Sequence, residues 1–127
     1  DKFYFNEIDC LDENTCFAAA EGDTGAYIYS TLDGGKTWTQ AISEPAGNSI
    51  MALRCIPTTQ ICYAAGGIQS RTDFTGMFYV TTDGGKTWAL ESQLKGTYVF
   101  SLSFISETSA WGSVFLPSKQ GELIRFQ

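Results

Sequence analysis

The sequence predicts an all-β fold made of tandem four-stranded antiparallel units, two complete and most of a third. Three observations predict it. The six residues Asp-Gly-Gly-Lys-Thr-Trp recur unchanged at 33–38 and 83–88, 50 residues apart, and a fixed period of this size marks a repeat architecture. Short runs rich in Tyr, Phe, Ile, Val and Thr alternate with turn clusters such as Leu-Asp-Glu-Asn-Thr and Pro-Ala-Gly-Asn-Ser, which is the pattern of strands joined by tight connections. No window sustains an apolar period of 3.6 residues, so almost no helix is expected. Four strands in about 40 to 50 residues make a unit of propeller-blade size, and an array of such blades is the expected architecture.

The first unit, about 1–47, reads as strands near 4–10, 15–21, 26–31 and 37–42. The second, about 48–96, reads as strands near 49–55, 61–67, 77–82 and 87–91. Each has the same order: a Cys, a turn, a second Cys, small residues, a variable loop, an aromatic strand, then the Asp-Gly-Gly turn. The third unit, about 97–127, reads as strands near 98–105, 109–115 and 121–126, and the sequence stops before a third such turn. Phe104 and Trp111 stand seven apart, as do Cys55 and Cys62, so an aromatic pair is expected at the two cysteine positions of unit three. Gly121–Phe126 is expected to match Gly25–Ser30. The whole is read as one domain.

The segments Thr31–Trp38 and Thr81–Trp88 fit the pattern Ser/Thr-x-Asp-x-Gly-x-Thr-Trp at every defined position. This resembles the Asp box, or BNR repeat, of sialidases, sortilin-like receptors and photosystem assembly factors of the Ycf48 type. The resemblance implies that the box forms the turn between the third and fourth strands of a propeller blade. The side chains give reasons for such a turn. Asp33 and Asp83 are expected to accept bonds from backbone N–H groups about two residues ahead. The glycines, among them Gly35 and Gly85, permit positive φ without a Cβ penalty. Thr37 and Thr87 are expected to re-enter a strand. Trp38 and Trp88 are expected to fold back and bury an apolar face beside the turn. The motif thus reads as structural rather than catalytic. Gly-Lys-Thr at 35–37 and 85–87 imitates part of a phosphate-binding loop, but Ser30 and Val80 stand where that loop needs a glycine, and no helix follows.

Four cysteines allow three pairings. Cys10–Cys16 and Cys55–Cys62 is the expected one, because each pair brackets a short turn that brings the two Cα atoms within reach across adjacent strands. Loops this short give about 2 kcal/mol each by chain entropy. Zinc is the competing reading, but five and six intervening residues exceed the usual spacing. Disulfides imply a secreted, cell-surface, periplasmic or organelle-lumenal setting.

Composition narrows the function. The chain has no histidine, which removes Ser-His-Asp and Cys-His nucleophilic systems and His-containing zinc sites. Net charge is −6, with eight Lys and Arg scattered along the chain. There is then no basic stripe to neutralise phosphates, and nucleic-acid binding is not expected. No apolar run reaches the roughly 20 residues of a membrane-spanning helix, and no cofactor motif is present. The sequence begins at Asp1 without a signal-peptide pattern, so a removed leader or a piece of a longer chain is expected.

The leading expectation is a non-catalytic extracellular or lumenal interaction or scaffold module, part of a larger propeller or multi-subunit assembly. Two complete units and part of a third do not close a ring of four to eight blades. A protein partner or self-association is therefore expected to complete the array. The longest variable stretch, 66–76, offers Arg71, Asp73 and Phe74 as partner contacts. The alternatives are a photosystem-assembly-type accessory subunit and a fragment of a sialidase-like glycoside hydrolase. Sialidases need an arginine cluster, and this chain has only Arg54, Arg71 and Arg125; a carboxylate pair would come from residues such as Asp9, Glu91 and Glu107.

Overall fold

Each unit begins with a hairpin closed by a facing residue pair, and that pair sets the register of the sheet. The computed structural model describes residues 2–45, 48–70, 72–116 and 119–126. The first sheet contains β1 (Phe3–Cys10), β2 (Cys16–Gly22), β3 (Gly25–Thr31) and β4 (Thr39–Pro45). The second contains β5 (Asn48–Cys55), β6 (Cys62–Gln69), β7 (Phe74–Thr81) and β8 (Ala89–Lys95). The third contains β9 (Tyr98–Ser106), β10 (Ser109–Leu116) and β11 (Lys119–Phe126). Strands follow one another in sequence order and pair antiparallel in every sheet. The fold is all-β, and the three sheets stack as propeller-type blades, β1 against β5 and β5 against β9.

The strand period of two gives each blade two faces. In blade one, Glu7, Ala19 and Ile28 share one face, as do Asp9, Phe17 and Ser30 one step along it. This face meets Ile50, Leu53, Ala64, Met77 and Tyr79 of blade two, and together they form the larger core cluster. The opposite face of blade two, with Ala52, Tyr63, Ala65 and Phe78, meets Val99, Leu102, Val114 and Ile124 of blade three. Alanine and glycine dominate the middle strands β2 and β6, which lets neighbouring sheets approach while larger side chains interdigitate. Polar ties reinforce the first seam. Glu7 pairs with Arg54 at 2.8 Å, Asn6 donates to the Ile50 carbonyl at 3.0 Å, and the Cys55 N–H donates to Asp9 Oδ2 at 2.8 Å.

The closing pairs of the first two blades are Cys10–Cys16 and Cys55–Cys62, each bonded as a disulfide with Cα atoms 4.0 Å apart. In blade three the expected match of Phe104 and Trp111 to the cysteines is off by one residue. Phe104 faces Ala110, and Trp111 faces Ser103. The third hairpin closes six residues apart like the first, not seven like the second, so counting from the second misplaces its far strand. Trp111 therefore occupies the position of Phe17 and Tyr63, which face Asp9 and Arg54. The same register puts Leu123, paired with Ser113, at the level of Ile28, paired with Ala19. The match of Gly121–Phe126 to Gly25–Ser30 is thus also shifted by one.

Candidate functional site

The two Asp-Gly-Gly turns link β3 to β4 and β7 to β8. The carboxylate reaches further than expected. Asp33 Oδ1 accepts from the Thr37 N–H at 2.9 Å, four residues ahead rather than two, and Oδ2 accepts from the Thr37 hydroxyl at 2.6 Å. Asp83 repeats this with Thr87 at 3.0 and 2.6 Å. The Thr31 hydroxyl donates to Asp33 and accepts from the Gly35 N–H, both at 2.9 Å, and Thr81 does the same between Asp83 and Gly85. Thr37 and Thr87 lie within the turn, since their strands start only at Thr39 and Ala89. Their hydroxyls are turn donors, which outweighs the β-propensity on which the strand expectation rested. Gly34, Gly35, Gly84 and Gly85 all have positive φ. These bonds hold both carboxyls below the usual range, the Thr hydroxyl contributing most, with Asp83 lowered to about 2.

The tryptophans part company. Trp88 meets Phe17 of blade one edge to face, with centroids 5.4 Å apart at 81°. Its indole N–H is buried without an acceptor among the described residues. Phe17 itself is fully buried and lies against Gly85. Trp88 thus packs on the neighbouring blade, not only beside its own turn. Among the described residues no neighbouring blade meets Trp38, which lines an open apolar depression of about 640 Å³ with Phe5, Ile8, Ala18 and Tyr29.

A second cleft, about 440 Å³, opens between blades two and three beside Tyr63, Phe78, Phe104, Glu91 and Glu107. Tyr63 stacks on Phe104 at 4.6 Å. Burial, then Glu91 and Glu107, push its phenol up. Of the three candidate carboxylates the structure brings Glu91 and Glu107 to one cleft, while Asp9 belongs to the first seam, bonded to the Cys10 and Cys55 N–H groups. Arg54 is engaged by Glu7 and the Leu53 carbonyl, and Arg125 on the third sheet donates to Ser109.

The expected partner loop is shorter than the sequence implied. Residues up to Gln69 and from Phe74 onward are strand, which leaves 70–73 as the connection. The Gly-rich composition that reads as loop instead serves close approach to β5, since a Cβ on Gly66 would collide with the Ser49 carbonyl. Asp73 accepts from the Thr75 hydroxyl. Phe74 packs on Phe115 of blade three at 5.7 Å, so it serves the second seam. Arg71 lies outside the described residues. Sequence reading missed Phe5, Ile8 and Tyr29; their signal is their equivalence to the buried Ile50, Leu53 and Tyr79.

Among the described residues, no three His, Cys, Asp or Glu side chains gather as a metal site. Nor is any described helix long and apolar enough to cross a membrane. No family model matches the chain, and no curated protein matches it. A solved structure described as YCF48 bound to D1 peptide is similar, with a TM-score of 0.60 at 17% identity. The likeness covers 94% of this chain and 38% of that one. The chain therefore shares a propeller-type fold and spans well under half the length of that protein.

Proposed function

We propose that the chain is a non-catalytic interaction or scaffold module of Asp-box blades, working in a lumenal or extracellular compartment as part of a larger propeller or multi-subunit assembly. One observation carries the reading. The carboxylate that recurs in the repeat, Asp33 and Asp83, is occupied by hydrogen bonds within its own turn. The repeat therefore builds a surface rather than a reacting centre. Two disulfides support an oxidising compartment. The likeness to a protein described with a bound peptide supports a protein segment as partner, and with it the alternative of a photosystem-assembly-type accessory subunit.

Glu91 and Glu107 beside Tyr63 favour a second reading, a fragment of an Asp-box glycoside hydrolase. A fluorogenic glycoside panel separates the two. The scaffold reading expects no turnover, and co-purification of the tagged chain with its assembly in a fixed ratio. Turnover that disappears in Glu107→Gln establishes the hydrolase instead. Alkylation before and after reduction checks the compartment: native protein from its source should take up no reagent, and reduced protein four equivalents.

A further inference from the structure

The seam between blades one and two is a knob in a socket, and the chain repeats both halves on the outer faces of blades one and three. The knob is Phe17, supported by Ala19 and Ile28. The socket is Ile50, Leu53, Tyr79 and Trp88, with Gly85 leaving room for the Phe17 ring. Ile50 and Leu53 are both 0% exposed there.

On the outer face of blade one the same register places Phe5 and Ile8 where Ile50 and Leu53 stand, because Phe5 faces Ala20 as Ile50 faces Gly66, and Ile8 faces Ala18 as Leu53 faces Ala64. Trp38 stands where Trp88 does. Yet Phe5 is 68% exposed, Ile8 59% and Trp38 40%. This is a complete socket with no knob among the described residues. The outer face of blade three is the converse. Trp111, Ser113 and Leu123 stand where Phe17, Ala19 and Ile28 stand. Trp111 is 42% exposed and Leu123 74%. The residue between them is small, as in the filled seam, so a facing sheet can approach closely. Apolar patches of this kind on a soluble chain mark interaction surfaces.

We propose that a second copy of this chain covers the blade-one socket, inserting its Trp111 between Trp38, Ile8 and Tyr29. This rests on the scaffold reading above and names a partner for it. The contact joins unlike faces, so it is head-to-tail: it propagates, or closes if the rotation permits. Two copies of the three described sheets carry six blades, within the four to eight of closed propellers.

Sedimentation equilibrium over a concentration series tests this. The wild-type mass should rise above 13.9 kDa with concentration. Trp111→Ser and Ile8→Lys should each remain at monomer mass over the same range, with melting curves showing that both fold. Mixed, these two variants should regain association as a one-to-one pair, since each retains the face the other lacks. Three results overturn the proposal: a wild-type chain that stays monomeric to its solubility limit, association that survives Trp111→Ser, and variants that fail to pair when mixed. A monomeric wild type leaves the glycoside and co-purification results untouched, so the two readings fail separately.

Discussion

At Thr31–Trp38 and Thr81–Trp88 the shared hydrogen bonds agree to within 0.1 Å, while the two tryptophans reach different surroundings. One meets a buried phenylalanine on the next sheet; the other lines an open depression. The carboxylate and hydroxyl bonds of the turn are therefore set within eight residues, tied to their own blade by one backbone bond from Gly34 to the Asn14 carbonyl or from Gly84 to the Gln60 carbonyl, both 3.0 Å. The packing of its tryptophan is set by whatever sheet lies alongside. Stability gained from one repeat depends on its neighbour, as in any stacked array.

The largest test removes the neighbour's contribution. Phe17→Ala should cost about 4 kcal/mol, in the range for emptying a buried aromatic site. Trp38→Ala, at a concentration where the chain is monomeric, should cost under about 1 kcal/mol, since surface changes are small. Urea unfolding measures both. Equal losses would mean that Trp38 is packed as fully as Phe17 and that the open face is already covered.

The glycines sharpen the same contrast. Gly35 and Gly85 share a φ of 84°, so alanine at either meets backbone strain of about 1 kcal/mol. At Gly85 the added methyl also falls within the Phe17 ring, whereas at Gly35 the nearest atom is the Trp38 indole nitrogen at 3.8 Å. Overpacking adds about 1–3 kcal/mol. Gly85→Ala should therefore lose about 3 kcal/mol in urea unfolding, and Gly35→Ala about 1. A common loss would show that Gly85 provides only a turn conformation and not the seat of Phe17.

What was legible in the sequence follows the same division. Strand order, the turn and the two cysteine pairs depend on residues close in the chain, and the repeat displays them twice. The carboxylate's true partners were not legible, because β-propensity assigns Thr37 to a strand while its hydroxyl serves Asp33. The place of Trp111 was hidden by a one-residue difference between hairpins, and a one-residue slip moves a side chain to the other face of a sheet. The stretch 66–76 looked like a binding loop because glycine signals both turns and close approach; only the contact of Gly66 with Ser49 decides between them. The blade-one socket is composed of ordinary strand residues, and its meaning appears only beside the filled copy.

The smallest effect tests whether the turns really are independent of their packing. Asp33 and Asp83 are both held below their ordinary value, chiefly by the hydroxyls of Thr37 and Thr87, Asp83 at about 2. An unfolded aspartate titrates near 3.9. A lowered folded value adds stability that is fully present above about pH 4 and is lost as pH falls towards 2. Melting temperature should therefore sag over that window. Asp12, lowered by the Asn14 and Thr15 backbone N–H groups, adds a share of its own. Thr37→Val and Thr87→Val each delete one hydroxyl donor, so each should raise the titration midpoint of its own aspartate and flatten part of the sag. Carboxyl-carbon NMR across the titration reads the two sites separately. If the turns are local devices, the two substitutions shift their aspartates by similar amounts, although one turn ends in a packed tryptophan and the other in an exposed one. A much larger shift at Asp83 would instead tie its acidity to the Phe17 contact, and the separation between local turn and neighbouring sheet would fail at the residue where it is drawn most sharply.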